Sequence, residues 1–165
     1  PGMAEKYDYE YIRNGKANIF VAVEPKHGKR VTKVTKQRTK KDFAKFMHDV
    51  VLYYPYAEKL RIVLDNLNTH HKNSFYEAFE KEKAEKILSK LELHYTPKHA
   101  SWLNVAEIEI SAIDAECTDR RMKNISFLRK EVKACTRMRN KERCKIDWRF
   151  TKKDADRKLA KHYVT

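Results

Sequence analysis

Apolar residues recur along this chain at two different periods, and the order of those periods predicts an architecture. Residues 17–25, ANIFVAVEP, are rich in β-formers and stop at Pro25, which predicts a strand. KHGKR supplies a turn at Gly28. Residues 30–35, RVTKVT, then alternate Val31, Lys33 and Thr35 against Thr32 and Val34, so the two segments predict an antiparallel hairpin. In KKDFAKFMHDVVLYY the period changes. Phe43, Phe46, Met47, Val50, Val51 and Tyr54 fall three and four residues apart, the stripe of an amphipathic helix that ends before Pro55. Arg61–Leu64 is a short apolar run that stops on Asp65 and Asn66. NSFYEAFEKEKAEKIL predicts one helix with Asn73 or Ser74 as its N-cap. LELHYTP predicts a strand with Leu91, Leu93 and Tyr95 on one face and Glu92 and His94 on the other. SWLNVAEIEISAIDAEC predicts a helix with Leu103, Ala106, Ile110, Ile113 and Cys117 as its apolar stripe, and two further helices are expected near 126–139 and 152–162.

Strands that alternate with helices imply an α/β layer architecture with a partly parallel sheet, made mixed by the front hairpin. In such sheets ligands bind beyond the carboxyl ends of the parallel strands. Asp65 stands at such an end, and Glu107 lies in the first turns of the helix after TPKHASWLN, with 41 residues between the two. If their strands are neighbours, both carboxylates flank one open spot, where hard oxygen donors hold a divalent cation and leave room for water. The bland alternative is that Asp65 caps a turn and Glu107 is a solvated acid favoured by the helix dipole. On a helix, Glu109 lies about 200° round from Glu107 and makes a poor substitute ligand. Asp114 shares the face of Glu107 but lies two turns away.

Charge adds a partner. With 37 Lys and Arg against 23 Asp and Glu, the formal net charge is +14, a balance that favours a polyanion, nucleic acid before membrane. From Thr118 to Thr165 the count is 17 against 6, so most of the excess lies in the tail. Lys98, Arg120, Arg121, Lys123, Arg137 and Arg139 are the expected phosphate contacts, salt-sensitive and indifferent to sequence. The alternative is a solvated helix face with intrahelical pairs around Glu131. No apolar run approaches the length of a membrane span. Cys117, Cys135 and Cys144 form no CxxC pair and no disulfide framework, which predicts a reducing compartment. Met3 does not lead the chain, and Pro1-Gly2 predicts either a residual tag or a cut inside a longer protein.

Three segments, VLDNLNTH, LHYTPKHASWLNVAEIEIS and DWRFTKKDA, supported by DYEYIRNGKANIFVAVEP and RTKKDFAKFM, carry a resemblance over nearly the whole chain. They resemble the DDE catalytic domain of bacterial insertion-sequence transposases of the mariner-like superfamily. The resemblance implies an RNase H-like fold, three carboxylates holding two Mg²⁺ or Mn²⁺ ions, and DNA, both transposon ends and target, as substrate. It implies a bacterial cytoplasmic, nucleoid-associated protein. Asp65 matches the second carboxylate and Glu107 the third. No residue matches the first: Asp8 lies in a different motif, and Glu24 ends the 17–25 strand. The expectation is therefore a partial core over 1–118, lacking one strand and one metal ligand, with a basic helical extension over 119–165 packed on it. An unpaired sheet edge would invite dimerisation. Asn66, His70 and Asn104 are expected to shape the site, while Trp102, Trp148 and Phe150 are expected to pack rather than touch DNA. His94 and His99 fall near the site but lack the spacing of a zinc set. The function expected is metal-dependent DNA cleavage and strand transfer, weak or absent in this chain alone. The alternative is a catalytically dead DNA-binding remnant of a transposase.

Overall fold

The computed structural model describes residues 15–97 and 104–159. The hairpin forms as expected: β1 (Asn18–Glu24) pairs antiparallel with β2 (Lys29–Thr35), in a register that sets Val21 opposite Thr32. Gly28 closes the turn at φ +63°, its N–H bonded to Glu24 O at 2.9 Å. Helix α1 (Lys40–Tyr53) starts on a capping box. Thr39 Oγ1 accepts from Asp42 N–H at 3.1 Å, and Asp42 Oδ2 accepts from Thr39 N–H at 3.0 Å. Its Phe43, Phe46, Met47 and Val50 are buried, so the predicted stripe is the core face.

Strand β3 (Leu60–Leu64) pairs in parallel with β4 (Leu91–Tyr95), Leu60 beside Leu91 and Leu64 beside Tyr95. The single helix expected between them is two, α2 (Asn73–Ala78) and α3 (Lys81–Leu88), separated by an extended Phe79 (φ −138°, ψ 156°). The core dictates the break. At 100° per residue, Ala84 would lie about 180° from Phe75 on one continuous helix. Both are fully buried in the same cluster, so the chain must turn between them. Neither Asn73 nor Ser74 caps α2; Ser74 is buried, its hydroxyl donating to Thr69 O at 2.7 Å.

Helix α4 (Ala106–Ile113) runs into a wider π-helical segment, Asp114–Thr118, and α5 (Ile125–Lys141) follows, capped by Asn124 Oδ1 on Phe127 N–H at 2.8 Å. Helix α6 (Lys152–Leu159) is the last described element; the expected continuation to 162 lies outside the described residues. The stripe predicted for α4 is only partly right. Ile113 and Cys117 are buried, but Ile110 is 42% exposed, and the inward position belongs to Glu109, which is wholly buried. The physical reason is an ion pair, described below.

Two clusters sandwich β1, whose alternate residues point to opposite faces. Phe20 and Ala22 join α1, α2 and α3, together with Ile62 and Leu91 of the second sheet; Ile19 and Val21 join Ile113, Leu128 and Val132 of α4 and α5. The one mixed sheet that the sequence predicts is absent among the described residues. β1–β2 and β3–β4 are separate two-stranded sheets over a shared core. No described helix is long and apolar enough to cross a membrane, and all three cysteines are free thiols, two of them buried.

Candidate active site

Asp65 follows directly on the last residue of β3, at the carboxyl end of a parallel strand. Its Oδ1 accepts from His70 Nδ1 at 2.7 Å and from Leu67 N–H at 3.3 Å, and no described residue donates to Oδ2. Burial lowers the pKa of His70 despite the carboxylate beside it, so the ring is neutral and donates its Nδ1 proton. The ring lies 4.5 Å from that of Phe43, and its carbonyl accepts from Tyr95 Oη at 2.8 Å. Asn66 Nδ2 donates to Thr96 O, and Thr96 N–H to Leu64 O at 2.9 Å, so the loop carrying Asp65 is tied to the end of β4. Asn66 and His70, expected from the sequence to shape the site, make these bonds.

Glu107 is exposed in the first turn of α4, where its backbone N–H donates to Asn104 O at 3.0 Å. Asn104 Oδ1 in turn accepts from Ala106 N–H at 3.1 Å. A cavity of about 350 Å³ is lined by Leu64 and His70 beside Asp65 and by Asn104, Val105 and Ala106 before Glu107, although neither carboxylate lines it. Among the described residues no group of three or more His, Cys, Asp or Glu side chains is gathered to hold a metal ion. His94 Nε2 lies 2.8 Å from Glu92 Oε1, and the His71 ring lies 5.7 Å from that of Tyr95. Lys98, His99 and Trp102 lie outside the described residues.

Glu109 sets the rotation of α4. Its Oε1 lies 2.7 Å from Arg30 Nε and accepts from Arg139 Nε at 2.8 Å, and its Oε2 accepts from both guanidinium groups at 3.2 Å. Arg30 and Glu109 are wholly buried. Arg139 also pairs with Glu116. With Glu109 clamped inward, Glu107, on the other side of the helix, is held outward. Arg139 is thus committed to the core rather than turned to solvent. The sequence showed only that Glu109 faces away from Glu107; neither its burial nor its two arginine partners, 79 and 30 residues away, were visible there.

Of the other tail cations, Arg120 pairs with Glu131, Lys123 Nζ sits 5.0 Å over the Phe127 ring, and Arg137 is exposed on α5. Arg121 and Lys123 line an open groove of about 800 Å³ with Lys16 and Lys36 from the hairpin. The sequence reading missed those two lysines, since nothing local distinguishes them from other surface lysines.

No curated protein and no solved structure matches the chain. Over residues 1–129 its sequence matches the DDE superfamily endonuclease family, and the chain belongs to that family.

Proposed function

We propose that this chain is the larger part of a DNA transposase catalytic core, of the insertion-sequence, mariner-like kind with an RNase H-like fold, in which Asp65 and Glu107 supply two carboxylates to one divalent-metal site. The observation that carries the reading is Asp65 itself. It sits at the carboxyl end of a parallel strand, one oxygen fixed by a neutral histidine and the other without a described donor. The donor chemistry fits Mg²⁺ or Mn²⁺, which take hard oxygen ligands and keep water. Such ions, when bound, stabilise the attacking and leaving oxygens of a phosphodiester displacement. The protein's own part is to hold Asp65 through His70 and Asn66, to aim Glu107 outward by anchoring Glu109, and to hold the DNA backbone. The last task falls to Lys16, Lys36, Arg121 and Lys123 around one groove, with Arg120, Arg137 and Lys98 as further contacts. Arg139, ion-paired in the core, is left out of this set.

Two carboxylates make a weak site where the chemistry uses three, so this chain alone is expected to nick supercoiled plasmid poorly with Mg²⁺ or Mn²⁺. Efficient nicking that is lost in Asp65→Ala would keep the site and overturn the incompleteness. Nicking unchanged in Asp65→Ala would overturn the site. The catalytically dead remnant differs in one respect: it would bind DNA with no dependence on metal or on either carboxylate.

A further inference from the structure

Of the eight residues of α4, only Glu109 and Ile113 are buried. In the turns that carry Glu107, the inward position is therefore held by an acid, and no apolar residue there is buried. Ile108 and Ile110, about 100° to either side of Glu109 on the helix, stay 45% and 42% exposed. Apolar burial alone favours turning one of them inward, and Glu107 would swing round with it. A helix is about 10–12 Å across with its side chains, so a turn of about 15° shifts a carboxylate by roughly 1.4 Å. That is most of the length of a Mg–O bond, about 2.0–2.1 Å.

What resists the turn is a clamp on Glu109 from two sides. Arg30 reaches its carboxylate with Nε and Nη2, and Arg139 does the same. Paired N–H donors in one plane fix a carboxylate in direction as well as in distance. Neither arginine is free to follow a turning helix. Arg30 Nη2 also donates to Cys144 O at 2.6 Å and its Nη1 to Gly28 O at 3.2 Å, while Asn140 bonds its backbone. Arg139 Nη1 donates to Glu116, in the π-helical segment that follows α4. One guanidinium thus grips the helical run at two points, which limits sliding as well as rotation. Stability alone does not call for such a cluster. Apolar side chains of similar volume in place of a buried ion network are often equally stable or more so.

We propose that Arg139 is a positioning residue for Glu107, acting through Glu109, with Arg30 as its counterpart from the hairpin. That role rests on the proposed reading of Asp65 and Glu107 as ligands of one ion. Arg139 lies beyond residues 1–129, over which the chain matches its family. The basic tail therefore serves the metal site through a buried ion pair, a task separate from the phosphate contacts of its exposed cations.

Mn²⁺ calorimetry on the full chain tests this, with the fold of each variant checked by its thermal unfolding curve. Arg139→Met is expected to weaken Mn²⁺ binding about tenfold. Arg139→Lys keeps the charge but loses the planar fork, and should recover only part of that loss. Where Arg139→Met alone fails to fold, the triple variant Arg30→Met, Glu109→Leu, Arg139→Met removes the buried charges together. It should fold at least as stably as the parent and still bind Mn²⁺ about tenfold more weakly. In a Glu107→Ala background neither change should weaken the residual binding further, because the effect runs through that carboxylate. The salt slope of DNA binding should stay as in the parent. Parent-like Mn²⁺ affinity in the folded variants would overturn the proposal. An equal loss in the Glu107→Ala background would make the role merely structural and overturn it too, and a salt slope lower by about one would return Arg139 to the DNA surface. Parent binding indifferent to Asp65→Ala and Glu107→Ala would end this proposal and the proposed function together. Binding that needs both carboxylates but not Arg139 would end this one alone.

Discussion

At the scale of single residues, the chain separates acids that hold the fold from acids free to act. Glu109 and Glu107 are two positions apart, yet one is sealed between Arg30 and Arg139 and the other faces solvent. Removing one partner from a buried ion pair strands the other's charge, so Glu109→Gln is expected to cost about 3–5 kcal/mol. A thermal or urea unfolding curve checks this, and Glu107→Gln on the exposed face should stay within about 0.5 kcal/mol. Histidines give a pH signature. Burial, then the nearby Lys83, lowers the pKa of His48, and burial lowers that of His70. A histidine that titrates lower in the folded state than in the unfolded chain makes stability rise with pH. The metal-free protein should therefore be at full stability, in this respect, above pH 6.5, and lose some as pH falls through 6.5 toward the lowered folded values. In His48→Gln that loss should shrink in denaturation curves at successive pH values; an unchanged slope would contradict it. Asp65 was legible because a carboxylate ending an apolar strand is uncommon chemistry in a local pattern. His70's bond to it was not, since five residues of loop can fold many ways.

Elements were legible where one period runs unbroken between punctuating residues, and misread where the core imposes a turn on an unbroken pattern. α1 lies between Thr39 and Pro55, and its predicted stripe is its buried face. The segment 73–88 has no Gly or Pro, so nothing local marks the break at Phe79. Only the need to bury Phe75 and Ala84 in one cluster does. α4 failed for another reason: the inward position goes to Glu109 because two distant arginines neutralise it, and Ile110 is turned outward in consequence. The β1–β2 turn shows the same dependence on distant chain. A Cβ at Gly28 would lie 2.4 Å from Arg143 C and 2.5 Å from Arg143 O, and the residue sits at φ +63°. Asn140 meanwhile bonds both backbone groups of Arg30, at 2.8 and 2.9 Å. Gly28→Ala should thus loosen the contact between the hairpin and the end of α5, at a cost of about 1–3 kcal/mol. Faster amide exchange in 139–146 would accompany it, and a variant as stable as the parent would show that the turn yields freely.

On the scale of the whole molecule, charge was legible and its arrangement was not. A net +14 points to a polyanion, but only the fold gathers Lys16 and Lys36 beside Arg121 and Lys123. Replacing Arg121 and Lys123 together by Ala should weaken DNA binding about uniformly across sequences and reduce the salt slope by about two. An unchanged slope would move the DNA elsewhere. Strand order, too, was beyond the sequence: it gave the four strands, and the structure divides them into two sheets. The central claim is itself tertiary, that β3 and α4 bring to one ion two carboxylates with 41 residues between them. Calorimetry with Mn²⁺ on the chain, Asp65→Ala and Glu107→Ala tests it most directly. One weak binding event, reduced by at least about tenfold in each variant, is the expected result. Binding unaltered by either substitution, or none in the parent chain, would contradict it.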